Sequence, residues 1–344
     1  MKTVLHIINW INIRGSERIC FNTAKYSPKY KHVFVAHTIG CKNALENFEK
    51  YGKVVILPEV TPLSFEYIGI LDLIKSEDID IVHLYLPGDD LPPYVLSIKV
   101  PIILTILCTK YCNFKRPPQM KYVVASSKYA ASLSPHLNPL VVPAGVEKVE
   151  PKLTREDFFK EVLPGISTHV KIVSRIGALE PLKHPLDFIK VANLLKDDQS
   201  LIFVMAGIGE ESYLNYLKSQ VASPNFRFLG KVSEDTKSEI LDKSSVYLYP
   251  TEFEAFGFSV VEPMSHGCPV ISYQNTAMPE VIGDSGILVP TNDISALVKA
   301  TTSISGNESK RSILSLLSKD RWGSLYQCQT YANTITSLYE NCHI

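Results

Sequence analysis

The sequence predicts an α/β protein built on two parallel, Rossmann-like sheets, and three observations carry that prediction. Short β-branched runs alternate with longer amphipathic stretches along the chain, as strands with crossover helices do. The alternation starts afresh after a charged stretch that contains two prolines. The 344 residues are too many for one ordinary core and suit two domains.

In the first half the strand candidates are "TVLHII", "HVFVAHT", "VVIL", "DIVHLYL", "PIILTIL", "YVVASS" and "PLVVPAG". Each is followed by polar or helical residues, as parallel strands with crossovers require. Residues 147–169, "EKVEPKLTREDFFKEVLPGISTH", read as a linker with a short helix. Thr154 is its N-cap, Val162 its approximate end, and Glu156 favours the positive pole of the first turn. The second set of strands is "VKIVSRIG", "LIFVMAG", "FRFLG", "VYLYPTEF", "PVISY" and "GILVP". The last stretch, "RWGSLYQCQTYANTITSLYENC", has helical period with Leu325, Tyr331, Ile335 and Leu338 as its apolar residues. The expected domains are therefore 1–150 and 151–322, with 323–344 a helix crossing back to the first. Two such sheets leave a cleft at the carboxyl ends of their strands, where ligands of these folds bind.

Composition narrows the function classes. The chain is 45% apolar and 20% charged, with formal net charge zero. Residues 1–150 carry 17 Lys and Arg against 13 Asp and Glu, and residues 151–344 carry 18 against 22. That mild asymmetry is compatible with a peripheral membrane contact of the first half, and far short of the footprint of a dedicated nucleic-acid binder. The start, "MKTVLHIINW", is too short an apolar run for a signal peptide, and no stretch is long enough to span a bilayer. Seven cysteines, only Cys108 and Cys112 close together, suit a reduced cytoplasmic compartment. That pair has no partner pair at zinc spacing, so no metal is expected.

The most informative stretch is "PTEFEAFGFSVVEPMSHGCPVIS", residues 250–272. Glu254 falls in a loop after a strand, and Glu262 on the second turn of a helix that starts at Gly257 and closes at Gly267. Helix starts offer unpaired N–H groups to phosphate or sugar oxygens, and glycine lets backbone approach a ligand. Two acceptor-only carboxylates suit a ligand rich in hydroxyls. The plainer alternative is a dipole partner and a solvated glutamate.

This stretch resembles the family-4 retaining glycosyltransferases of GT-B fold, whose hallmark is two glutamates separated by seven residues, with Phe-Gly among them. Glu254, Phe256, Gly257, Glu262, Pro263, Gly267, Pro269 and Val270 fit that pattern, as do Pro279, Glu280 and the ending "GILVP". The resemblance implies that Glu262 holds the ribose of a nucleotide diphosphate sugar, UDP- or GDP-type. Glu254 would hold the transferred sugar near its reacting carbon, with Phe256, Gly257 and Phe258 lining the donor. Arg175, at a strand end, and Lys183, at a helix start, would face the diphosphate and stabilise the charge of the leaving group. Their spacing is wider than usual, and His184 stands where the family carries glycine.

The resemblance extends to "FRFLGKVSED", which implies that the base lies against the backbone of Gly230, Lys231 and Val232. Gly207 and Gly209 read as residues that turn the chain between strand and helix. In the first half, "NIRGSERICFNTA" resembles the family's glycine-rich loop, with Gly15 and the amide of Ser16 approaching the donor phosphates. Arg14 is a candidate grip for an anionic acceptor, or a solvated loop residue. The family's Thr-x-His falls on Thr105 and Leu107, so its histidine is missing; Cys108 follows, and His37 and His83 are candidates to compensate.

The resemblance implies a metal-independent transferase that moves a sugar with retention to a hydroxyl of a glycan, glycolipid or small molecule. A non-catalytic sugar-nucleotide-binding subunit, or an epimerase or hydrolase on the same fold, is the alternative. Nucleic acid is a remote candidate for the acceptor.

Overall fold

The computed structural model describes residues 1–12, 15–57, 68–86, 90–107 and 111–342. Its contacts divide the chain into two compact units, residues 1–145 with 325–344, and residues 146–324.

The first unit holds strands β1 (Thr3–Ile7), β2 (Trp10–Ile11), β3 (Lys31–Ala36), β4 (Thr38–Ile39), β5 (Lys53–Ile56), β6 (Ile81–Leu86), β7 (Ile102–Ile106), β8 (Met120–Ala125) and β9 (Leu140–Val141). Seven of them form one parallel sheet in the order β5-β3-β1-β6-β7-β8-β9, and β2 pairs with β4 separately. Central strands of such a sheet are covered on both faces and so read as unbroken apolar runs. Leu5, Val33, Val82, Leu84, Leu104 and Val123 accordingly lie in the core. The covering helices include α1 (Gly15–Lys25), α2 (Lys42–Glu49), α3 (Ile68–Ser76) and α4 (Lys128–Ser132).

The second unit holds α5 (Arg155–Glu161), β10 (Lys171–Ile176), α6 (Pro185–Leu194), β11 (Leu201–Ala206), α7 (Glu211–Ser219), β12 (Phe226–Gly230), α8 (Glu234–Lys243), β13 (Ser244–Leu248), α9 (Phe258–Ser265), β14 (Val270–Tyr273), α10 (Met278–Ile282), β15 (Gly286–Val289), α11 (Ile294–Ser305) and α12 (Glu308–Leu325). Its parallel sheet has the order β12-β11-β10-β13-β14-β15. The chain therefore winds outward from β10 to β12, then returns to place β13 on the other side of β10. This reversal leaves the carboxyl ends of β10 and β13 as neighbours whose loops lead in opposite directions, the arrangement at which ligands enter open parallel sheets.

The charged stretch read as a linker is not a free connector. Thr154 does cap α5 by accepting the Asp157 N–H. Phe158 and Phe159 are buried, however, and the Glu239 carboxylate accepts the backbone N–H groups of Lys152 and Leu153. Their apolar and hydrogen-bonded contacts make residues 146–169 part of the second unit.

The last helix, α13 (Cys328–Glu340), belongs to the first unit. Tyr331, Ile335 and Tyr339 are buried on one of its faces, and it packs on α1. Leu325, expected among its apolar residues, instead ends α12 and is 41% exposed, because the chain breaks between the two helices. The Tyr339 hydroxyl lies 2.6 Å from His83 Nδ1, and His83 Nε2 lies 2.8 Å from Thr105 Oγ1. His83 is thus fully buried within β6 and cannot compensate for a missing site histidine. Its ring is consumed by the polar bonds its burial demands.

Candidate active site

The site is built on the carboxyl ends of β10 and β13. Arg175, next to last in β10, is fully buried. Its Nη2 donates to the carbonyls of Ala178, at 3.1 Å, and Lys183, at 2.9 Å. Its Nε and Nη1 are buried without hydrogen-bond partners. The guanidinium lies over the ring of Tyr249, 5.2 Å from the centroid, which offers partial compensation through the ring's negative face. Burial lowers its pKa from the ordinary value, opposed by Tyr249, Tyr247, Tyr213 and Glu254. A guanidinium keeps its charge through such a shift. The result is a fixed cation with donors to spare.

The loop after β10 brings Lys183 beside it. Lys183 ends a 3-10 turn, Pro181–Lys183, just ahead of α6. Its Nζ donates to the Phe253 carbonyl at 2.8 Å and to Glu254 Oε1 at 2.7 Å. Glu254 also accepts from the Tyr249 hydroxyl at 3.3 Å, and its own N–H reaches Thr276 Oγ1 at 3.2 Å. Arg175, Lys183 and Glu254, picked from the sequence separately, therefore form one cluster. A pocket of about 390 Å³ opens beside the same loop, lined by Leu179, Glu180, Pro181, Tyr213 and Tyr216 among others.

The second carboxylate has its own lysine. Gly257 precedes α9 with φ 101°, a backbone conformation that favours glycine. One turn on, Glu262 Oε2 lies 3.0 Å from Lys237 Nζ of α8. Phe256 is buried and packs edge-on against Phe258 at 5.3 Å, so Phe256 anchors the turn into α9. Two carboxylates in apolar sequence are tolerated because each meets an ammonium.

Gly230 ends β12 at φ 63° with open space around it, and Lys231 and Val232 lead from there to α8. Gly207 and Gly209 do more than turn the chain. A Cβ at either would overlap the carbonyl of Gly177 or Leu179, so they admit the loop after β10 against the end of β11. Gly15 and Ser16 open α1 in the first unit. Arg14 and Cys108 lie outside the described residues. Leu107 follows β7 directly, and His37 is half-buried between β3 and β4.

Sequence reasoning missed Lys237, Tyr249 and Thr276. Tyr249 stands in the quoted "VYLYPTEF", but nothing in the one-dimensional pattern places its ring under Arg175. Lys237 is one of two lysines on α8, and only the fold pairs it with Glu262.

Among the described residues, no helix is long and apolar enough to cross a membrane. The family model described as glycosyl transferases group 1 matches residues 158–316. The chain is 25% identical over 172 residues to the O-antigen chain mannosyltransferase B of Escherichia coli, covering 48% of this chain and 42% of that one. It is 34% identical over 117 residues to a phosphatidyl-myo-inositol mannosyltransferase of Mycobacterium leprae, covering 33% and 30%. These alignments span less than half the length of the curated relatives they match. In fold, the chain is similar to a glycosyltransferase from Rickettsia africae, with TM-score 0.83 and 16% identity over 99% of this chain and 98% of that one. It is also similar to Anabaena HepE in complex with UDP and glucose, with TM-score 0.77 and 14% identity over 99% and 100%. The fold is that of the GT-B glycosyltransferases.

Proposed function

We propose that this chain, whose residues 158–316 match the family model of the group 1 glycosyl transferases, moves a sugar from a nucleotide diphosphate sugar to an acceptor hydroxyl with retained configuration. The observation that carries the reading is Arg175, a buried cation with two nitrogens, Nε and Nη1, unpartnered, set at the reversal of strand order. Leaving such donors unpaired costs about 1–3 kcal/mol each, and a diphosphate oxygen is the acceptor that relieves the cost.

The roles follow from position. As the bond between sugar and diphosphate breaks, charge grows on the leaving oxygen, and Arg175 with Lys183 stabilises it without reorganising. Two cations from the chain make a metal ion unnecessary. Glu254, held by Lys183 and Tyr249, accepts hydroxyls of the sugar and stabilises positive charge at the reacting carbon. The departing phosphate oxygen takes the acceptor's proton, so the missing histidine after Thr105 removes a contact with the sugar and not a base. Glu262, oriented by Lys237, accepts the ribose hydroxyls. The names of relatives that build O-antigen and a diphosphoundecaprenol-linked glycan support a glycan or glycolipid acceptor.

Steady-state kinetics on two variants tests the assignment. Glu262→Ala removes a contact made equally in ground and transition states and should mainly raise the donor KM. Lys183→Ala removes charge stabilisation and should lower kcat by about 10²–10³. Small, equal effects on both parameters in both variants would sink it.

A further inference from the structure

The chain enters α6 through His184 in a left-handed conformation, φ 45° and ψ 46°. Glycine takes that conformation freely, and a residue with a Cβ takes it under strain. Such strain persists only where the surroundings over-determine it. Here they do. Nδ1 of His184 lies 2.8 Å from Asp187 Oδ2, Nε2 lies 3.0 Å from Glu252 Oε2, and the ring meets Tyr273 edge-on at 5.8 Å. The ring thus bridges two carboxylates, one at each nitrogen. Asp187 is built for that partner. Burial raises its pKa, yet bonds from Lys190, His184 and Tyr273 outweigh this and hold the carboxyl below its ordinary range.

The two carboxylates sit on different elements. Asp187 is in the first turn of α6, and Glu252 is in the loop after β13, two residues before Glu254. The Glu252 N–H also donates to the Leu182 carbonyl at 3.1 Å. We infer that His184 is a positioning residue whose ring staples the loop of Glu254 to the start of α6, and so fixes the spacing of Lys183 and Glu254. The clamp stands on the geometry alone. Its consequence for rate rests on the transferase reading.

A thermodynamic and kinetic cycle over His184→Gly, Glu252→Gln and the double variant tests the clamp. His184→Gly relieves the backbone, so a histidine that merely tolerates the turn predicts a higher Tm and unchanged turnover. The clamp predicts the opposite sign: a Tm lower by several degrees, kcat lower by about tenfold or more, and donor KM little changed. Glu252→Gln should act in the same direction, and the double variant should cost less than the two singles together. A stabilised, fully active His184→Gly, or effects that simply add, would overturn the clamp. If the parent releases no nucleoside diphosphate from any donor, the transferase reading fails, while the Tm cycle still decides the clamp.

Discussion

A guanidinium taken out of water with part of its donor set unpaired works against folding, and Arg175 pays for it only through Tyr249 and two carbonyls. Sites that do chemistry accept such costs. Arg175→Met keeps the volume and removes the buried charge, so we expect an unfolding temperature within a few degrees of the parent or above it. The same variant should lose the stabilisation that added nucleoside diphosphate gives the parent, a shift that thermal denaturation with and without nucleotide reads directly. A destabilised variant that still responds to nucleotide would place the anion elsewhere. At the residue scale the sequence was legible where chemistry follows motif: Arg175, Lys183 and Glu254 were named and do cluster. It was silent on Tyr249 and Lys237, because a contact between elements far apart in the chain leaves no local pattern.

Strands were the most legible elements, since a parallel sheet covered on both faces leaves near-continuous apolar runs. All thirteen strand candidates occur in the two main sheets. The polar exceptions within those runs were read less well. His6 of β1, His32 of β3 and His83 of β6 are buried side by side, with His6 Nε2 2.9 Å from His32 Nδ1 and His6 Nδ1 3.2 Å from the Tyr85 hydroxyl. Burial pushes His83 down to about 3 from the ordinary 6.5, sets His6 well below that value, and lowers His32. The unfolded chain therefore takes up protons that the folded sheet refuses until far lower pH. Stability from His83 is complete above about pH 6.5 and is lost as pH falls toward 3, by about 1.4 kcal/mol per pH unit, and His6 and His32 act in the same direction. Calorimetry across that range should show a steep fall in Tm, and hydrogen exchange should show β1, β3 and β6 losing protection. Tm constant to pH 4 would contradict the buried network.

On the scale of the whole molecule, the contacts divide the chain after residues 145 and 324, a few residues from the boundaries at 150 and 322 read from the sequence. The charged stretch after residue 146 joins the second unit through Phe158, Phe159 and Glu239, while residues 325–344 return to the first. A charged, proline-bearing segment looks like a connector because its burying partners lie some ninety residues away. Removal of residues 325–344 strips Tyr331, Ile335 and Tyr339 from the first unit and takes from His83 one of its hydroxyl partners, that of Tyr339. We expect the truncated protein to lose the cooperative transition of the first unit and keep that of the second, as limited proteolysis and calorimetry can show. Retention of both transitions would mean that α13 is an accessory. The central claim is that a cluster made only of this chain's side chains drives departure of a diphosphate. Its most direct test is the acceptor-dependent release of nucleoside diphosphate from a panel of donor sugars in excess chelator. The account predicts release from at least one UDP- or GDP-sugar at a rate the chelator does not change. No release from any donor, or release only when a divalent cation is restored, would contradict it.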